Sequence, residues 1–391
     1  MKKTLHVLLA SIVSFLLVQC DTNTTTKTIS GDTTVIKLDF KAEKTNVHEI
    51  GLIDDIKLLR LDCEEVIGEI RKVVRHNDRL YLMDSQTSKV FIFDVEGAYI
   101  NHIARRGQGP EEYLQLVDIF VDPADATLNL VSRLDKKVLK FDADGSRLLK
   151  IERTPKSFHN LLITEDGYLG YMNNFREDSS QPYNVWTVTP KMKLGEGFFE
   201  IDPSWSSKGF GDGSVFSNYG DLVYYITLMD FNIYAFRNGE LSIPYRFDLG
   251  ALAWPEDKKD YSEYEKVRGS LEYPHILHFY YFQETENHLI TNIVREGQDL
   301  LGVYDKRNGK TYIAKLEGSF VESVFSFGRI ISFDEHAIYT YIDASSMSFF
   351  RKGGYEGDLE ERYPEQVKRL RERFSEIDEE DNPFLVIYTI N

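Results

Sequence analysis

Short apolar runs separated by polar turns recur along this chain. In residues 78–97, DRLYLMDSQTSKVFIFDVEG, Leu80 and Leu82 alternate with Tyr81 and Met83, a polar stretch over 84–89 turns the chain, and 90–93 is a second apolar run. Apolar runs of about four to eight residues bounded by turn residues read as strands, so the segment predicts a hairpin ending in a turn. Residues 126–145, ATLNLVSRLDKKVLKFDADG, repeat the phrase without a gap at an offset of 48, with Leu128, Leu130, Val138 and Phe141 in matching places. Both copies close on Asp-x-x-Gly, Asp94 to Gly97 and Asp142 to Gly145. There the carboxylate can bond turn amides, and glycine takes a positive φ without a Cβ clash. These aspartates read as turn residues, not as a catalytic pair.

A strand-built repeat of about 40–50 residues marks a β-propeller blade rather than a helical solenoid. Further echoes follow at 167–192, 223–239, 289–309 and 336–343, and units starting near Arg79, Thr127, Gly167, Leu222, His288 and His336 make six. The expected fold is all-β: a six-bladed β-propeller of four-stranded antiparallel blades. An open ring would leave strand edges unpaired. Residues 34–40 (TVIKLDF) and 56–61 (IKLLRL) precede the first full repeat, and 384–390 (FLVIYTI) end the chain. N-terminal strand material is therefore expected to complete the last blade. Before the closing strand, Pro364 is placed for a helix start with Val367, Leu370, Phe374 and Ile377 on one face. That predicts one inserted amphipathic helix packed on the propeller rim.

At the N-terminus, Lys2 and Lys3 precede an apolar run over 8–18, followed by Cys20. The run is short for a membrane span and right for a secretory signal. A cysteine at its end resembles the bacterial lipobox, although Gln19 stands where a small residue is usual. This implies a diacylglyceryl group on Cys20, with residues 1–19 removed as a signal peptide. Residues 20–33, polar and threonine-rich, then form a flexible tether to a single propeller domain over 34–391. Of the 391 residues 42% are hydrophobic and 13% aromatic, with 23 Tyr and 25 Phe, a balance that favours strands and fills a large core. The formal charge of −17 becomes −19 once Lys2 and Lys3 leave with the signal peptide. So acidic a body argues against nucleic acid or an anionic lipid surface as partner, leaving the lipid anchor as the membrane contact. Cys63 would then be the one remaining thiol, most simply a small buried hydrophobe.

The repeat, followed by Ala104, Arg105, Arg106, Gly107, Gln108, Gly109, Pro110, Glu111, Glu112 and Tyr113, resembles the 6-bladed β-propeller lipoproteins of Bacteroidetes, related to NHL-repeat propellers. The ending Asp381, Asn382, Pro383, Phe384, Leu385, Val386, Ile387, Tyr388 is similar to that family's terminal strand. The resemblance is best over 66–151, and 190–285 departs from it with long insertions. It implies the propeller fold and a lipid-anchored place in the cell envelope, at the outer membrane. It assigns little chemistry.

The loop carrying Gly107, Gln108, Gly109, Pro110, Glu111 and Tyr113 reads as a tight connector between blades, with a ligand-facing loop as the alternative. It does not read as a phosphate loop, because no Lys-Ser/Thr follows and no strand-to-helix unit surrounds it. The insertions at 202–213 and 253–282 are rich in aromatic residues and glycine. There Trp205, Phe210, Trp254, Tyr261, Tyr264 and Tyr273 are candidates to offer flat faces to a sugar or peptide, or else to pack the surface. His275 and His278 form a His-x-x-His that could share a metal on a helical turn, with Glu272 or Glu284 as third ligand. On a strand the two rings would point to opposite faces. Glu379, Glu380 and Asp381 read as a solvated acidic turn. No Gly-x-Ser-x-Gly elbow, sialidase-type Asp box or WD signature is present, and no cofactor is predicted. Two functions are in play. One is a monomeric, non-enzymatic module binding a protein, peptide or glycan at a propeller face. The other is a metal-dependent propeller enzyme, of the NHL-like lyase or lactonase type, with its site in the central channel. The first is the expectation carried forward.

Overall fold

The hairpins predicted from the repeat are the middle two strands of six antiparallel sheets. The computed structural model describes residues 32–41, 45–47, 49–209, 214–237, 239–267, 275–295, 298–315, 330–353, 359–362 and 364–391. From the channel outward, blade 1 is Ile70–His76, Arg79–Asp84, Lys89–Asp94 and Tyr99–Ile103. Blade 2 is Leu116–Val121, Leu128–Ser132, Lys137–Phe141 and Leu148–Arg153. Blade 3 is Asn160–Thr164, Gly167–Tyr171, Tyr183–Val188 and Leu194–Glu200. Blade 4 is Phe216–Tyr219, Leu222–Tyr225, Asn232–Arg237 and Glu240–Asp248. Blade 5 is Phe279–Glu284, His288–Arg295, Gln298–Asp305 and Lys310–Lys315. Blade 6 takes Ser332–Phe333, Ala337–Ile342 and Phe384–Ile390 from the C-terminal side, and Ile53–Arg60 from the other end of the chain.

Each sheet is a slice between two others, which is why the strands are continuously apolar. Successive side chains on a strand point to opposite faces. Leu80, Leu82, Phe91 and Phe93 of blade 1 pack against Leu59, Tyr339, Leu385 and Ile387 of blade 6. Their neighbours Tyr81, Met83, Val90 and Ile92 pack against Ile119, Leu130 and Leu139 of blade 2. The Asp-x-x-Gly turns serve the same packing. Asp94 accepts the amides of Glu96 and Ala98 at 2.9 and 2.8 Å, and Asp142 that of Arg147 at 3.0 Å. Gly97 and Gly145 have φ of +90° and +64° and lie against the preceding blade: a Cβ would fall 2.9 Å from the Arg60 carbonyl and 2.6 Å from Ile92, respectively.

The ring closes as expected, through one N-terminal strand. Phe384–Ile390 pairs antiparallel with Ile53–Arg60 from Phe384 opposite Arg60 to Ile390 opposite Ile53. Asn382 fastens the joint: its Oδ1 accepts the Ile67 amide at 2.8 Å, and its Nδ2 donates to the carbonyls of Cys63 and Glu65 at 3.1 and 3.0 Å. The other predicted strand goes elsewhere. Thr34–Lys37 runs parallel to the outer strand of blade 4, and Thr45–Asn46 parallel to that of blade 5, where each covers an edge that would otherwise be exposed.

Among the described residues, three helices, Ala344–Arg351, the short Leu359–Arg362 and Pro364–Arg373, lie between the second and third strands of blade 6. Pro364–Arg373 is the expected one, and Val367, Leu370, Phe374 and Ile377 are buried against Met347, Phe350 and Phe384. Ala344–Arg351 was not anticipated; Asp343 caps it by accepting the Ser346 amide at 2.7 Å. Among the described residues no helix is long and apolar enough to cross a membrane.

Because strands alternate in direction, the links between blades and the turns between second and third strands emerge on one face. The long connections 201–215, 249–278 and 343–383 all fall there. The opposite face carries the short turns, such as 94–97 and 142–145. A packing role for the repeat glycines predicts that Gly97→Ala costs about 1–3 kcal/mol more in urea unfolding than Gly220→Ala. At Gly220 φ is also positive (+58°) but nothing lies within 4 Å of a Cβ. Equal losses at the two positions would leave only the backbone term.

Candidate functional site

The inner strands of blades 1, 2 and 3 begin at the face with the long connections, and their first residues line a cavity in the channel mouth. Arg71 and Lys72 come from blade 1, Val117 and Asp118 from blade 2, His159 and Asn160 from blade 3, with Met83, Ser214 and Ile331 completing the wall. Two of these strands are irregular there. Ile70 pairs with Asp84 and Lys72 with Met83, so Arg71 is an extra residue, and the ladder of blade 2 shifts likewise between Leu116 and Asp118. Such bulges re-aim a side chain and bend the strand.

Asp118 is 1% exposed and fully engaged. Its Oδ1 accepts from Lys72 Nζ at 2.6 Å and from the Ile119 amide at 2.9 Å, while Oδ2 accepts the Leu161 amide at 3.0 Å. One carboxylate thus ties three blades together. The half-buried His159 ring places Nδ1 3.2 Å from Asn160 Oδ1. Burial holds this imidazole below its usual range; Asn160 opposes the shift, and the Arg71 and Arg133 guanidiniums add to it. The mouth therefore combines one self-balanced ion pair with a histidine held neutral.

None of these residues stood out in the sequence, although an aspartate inside the apolar run LVDIFV was a signal for a buried, partnered carboxylate. The residues that did stand out lie around them. The loop from Gly107 through Gln108, Gly109, Pro110 and Glu111 to Tyr113 spans from the outer strand of blade 1 to the inner strand of blade 2 and folds on itself. Gly109 N–H donates to Glu112 Oε2 at 2.7 Å, Arg105 pairs with Glu111 at 3.2 Å, and the buried Tyr113 hydroxyl donates to the Ser88 carbonyl at 2.6 Å.

Trp205, Trp254, Tyr261 and Tyr264, drawn from two insertions, meet in one cluster around Met229. The indole N–H groups donate to the carbonyls of Lys259 and Lys258 at 2.7 and 2.6 Å, and Tyr261 stands edge-on to Trp205 at 5.2 Å. Both indoles are buried, so they pack the insertions together rather than standing open. Cys20, Phe210, Tyr273 and Glu272 lie outside the described residues.

His275 and His278 sit in neither helix nor regular strand. His275 is half-buried with Nδ1 3.1 Å from the Ala251 carbonyl, whereas His278 is buried beside Tyr280. Glu284 is occupied by Tyr224, by Tyr245 at 3.1 Å and by Lys306 at 2.7 Å. Among the described residues no group of three or more His, Cys, Asp or Glu is placed to hold a metal ion. Glu380 and Asp381 join Asp62, Cys63, Glu64 and Glu65 around a cleft at the closing joint, where burial raises the Cys63 thiol.

The sequence profile of the domain of unknown function DUF4934 matches residues 33–389. The chain belongs to this family. The DUF4934 match thus takes in both the strand laid on blade 4 and the closing pair. No curated protein matches the chain. Among solved structures, it is similar to a putative exported protein from Bacteroides fragilis at 20% identity and TM-score 0.71, covering 92% of this chain and 100% of that one. It is also similar to a DUF4221 family member from Bacteroides vulgatus at 10% identity and TM-score 0.51, covering 87% and 97%. At these identities the likeness speaks for the fold.

Burial in this DUF4934 propeller pushes the His278 pKa down from 6.5 to about 3. The stability this contributes is complete above 6.5. It is lost as pH falls toward 3, because the unfolded chain takes a proton that the folded one refuses. Urea midpoints measured between pH 7.5 and 4.5, roughly the window where this proton matters, should fall less steeply for His278→Gln, by up to about 1.4 kcal/mol per pH unit. Parallel profiles would show that His278 does not fold neutral.

Proposed function

We propose that this chain is a lipid-anchored, non-enzymatic propeller of the bacterial cell envelope, held at the outer membrane, whose connection-bearing face binds a protein, peptide or glycan partner. The observation that carries this reading is the one-sidedness of the molecule: long connections and the channel cavity share a face, and short turns fill the other. Loops positioned by a rigid scaffold are where recognition concentrates. The scaffold here is tightly tied, since Asp84 accepts the amides of Gly68 and Gln86 at 2.7 and 2.8 Å and so joins an inter-blade link to a hairpin turn. Val66, Leu114 and Leu134 stand exposed on that face.

Anchoring rests on the signal-like run and Cys20, and is supported by the exported character ascribed to the similar Bacteroides fragilis protein. The Asp118 oxygens are already taken by Lys72 and two backbone amides, which weighs against their holding a metal for a lyase or lactonase in the channel.

Two measurements test the reading. In a bacterial host, the wild-type chain is expected to take up labelled fatty acid and sediment with membranes, and Cys20→Ala to do neither; a Cys20→Ala chain still sedimenting would remove the anchor. A photo-crosslinking residue at Leu134 should trap a partner, whereas one at Asp221 on the opposite face should not. The reverse pattern would place recognition on the short-turn face.

A further inference from the structure

The two copies of the sequence repeat fold alike and differ in what they present to solvent. In the turn between the second and third strands, Ser88 of blade 1 takes φ of 55° and Lys136 of blade 2 takes 51°. The Ser85 amide donates to the Glu69 carbonyl at 2.9 Å, and the Arg133 amide to that of Gln115 at 3.0 Å, tying each turn to the link that enters its blade. Thr87 Oγ1 donates to Asp84 in the first turn and Ser132 Oγ to Asp135 in the second, the same bridge with donor and acceptor exchanged. The turn therefore makes no demand for charge or apolar surface at its other positions. Where blade 1 has Ser85, Gln86 and Ser88, blade 2 has Arg133, Leu134 and Lys136.

These three residues belong to a patch of surplus positive charge on a chain whose net charge is −17. Leu134 stands 65% exposed at the tip of the turn. The Arg133 guanidinium lies over the Phe175 ring at 4.9 Å, and on the link into blade 3 the Lys156 ammonium lies over Trp186 at 4.8 Å. Phe175 and Trp186 pack in one apolar cluster, and Glu177 is near enough for its charge to act on both cations. Glu177 is already spent: Lys136 pairs with it, and the Ser157 amide donates to Oε2 at 3.2 Å. Among the described residues neither Arg133 nor Lys156 is held in an ion pair. Burial lowers the Arg133 guanidinium from its usual range, with Glu177 opposing. Cations drawn partly out of water onto aromatic rings, with no carboxylate of their own, carry a desolvation cost that an incoming anion offsets.

We propose that Arg133, Leu134 and Lys136, with Lys156 behind them, form the docking surface for an acidic segment of a partner protein in which carboxylates flank an apolar side chain. Arg133 takes a carboxylate through the planar, paired donors of its guanidinium. Lys136 and Lys156 supply the field that steers the segment in. Leu134 packs against the apolar side chain, a contact that favours a peptide over a polysaccharide as occupant. The assignment rests on the reading of this face as the binding face and names the partner chemistry that the face selects.

The test uses the full chain in nonionic detergent and the fluorescence anisotropy of three labelled peptides. One alternates aspartate with leucine, one has lysine in place of aspartate, and one has serine in place of leucine; polygalacturonate serves as competitor. The acidic leucine peptide is expected to bind at least about fivefold more tightly than either of the others, and to weaken as salt rises from about 50 to about 500 mM. Arg133→Gln should weaken it by about tenfold, Arg133→Lys by less, and Leu134→Ser by about fivefold. Lys310→Gln, which removes a charge from an exposed position on the opposite face, should leave it unchanged. Equal binding of the acidic and basic peptides, wild-type affinity in Arg133→Gln, or no binding of the acidic leucine peptide would overturn the assignment. Displacement by polygalacturonate with undiminished affinity in Leu134→Ser would replace the peptide with an acidic glycan. Crosslinking at Leu134 is scored separately: adducts whose yield is unchanged in Arg133→Gln would overturn this assignment alone, and absence of adducts would remove the face.

Discussion

The pairing of Phe384–Ile390 with Ile53–Arg60 is the constraint on which the rest of the molecule depends. Every blade has two apolar faces, and each face is buried only because another blade stands against it. A linear stack would leave a face of blade 1 and a face of blade 6 in water, together with open sheet edges. Closure removes both defects at once by making the two chain ends neighbours within one sheet. Asn382 strengthens this joint because three backbone groups near the start of blade 1, left over where one sheet ends and the next begins, all find their partner in a single amide.

The closed ring also explains why the channel mouth can hold its polar residues in place. Asp118 receives donors from blades 1 and 3 as well as from its own strand, and the Val73 amide of blade 1 donates to Ser332 Oγ of blade 6 at 2.9 Å. Such bonds across the inner strands leave little room for one blade to shift alone. A buried carboxylate is costly unless its lone pairs are satisfied, and here they are satisfied only when three sheets stand in register. The polar cavity is thus a product of the ring geometry rather than of any one segment.

How much of this was legible in the sequence follows from where each residue sits. The second and third strands of a blade are buried on both sides, so Leu80 to Met83 and Val90 to Phe93 must be apolar, and their copy at 128–141 could be seen by eye. The outer strands are partly exposed, as Tyr99 and Leu149 are, and their pattern drifts. Thr34–Lys37 reads as a strand, but its partner is set by which sheet edge lies open in space, which no local pattern encodes. The Ala344–Arg351 helix has a visible cap in Asp343 and apolar residues at helical spacing in Met347 and Phe350, but it is short and follows directly on the apolar strand Ala337–Ile342, whose pattern runs into it. The cavity was hidden for a different reason. Arg71, Asp118 and His159 are far apart along the chain, and only the ring brings them together; of the aromatic candidates, Trp205 and Trp254 are buried where two insertions meet.

The path of the N-terminal segment has a bearing on how the molecule stands in its surroundings. Thr33 Oγ1 meets the Ile243 carbonyl, and Thr34–Lys37 then runs alongside Glu240–Asp248 in the same direction, from the short-turn side toward the side of the long connections. The described chain therefore starts, at Asp32 and Thr33, on the side of the short turns. In a molecule anchored as proposed, that underside would stand toward the bilayer and the channel mouth with its surrounding loops would face outward like an upturned bowl.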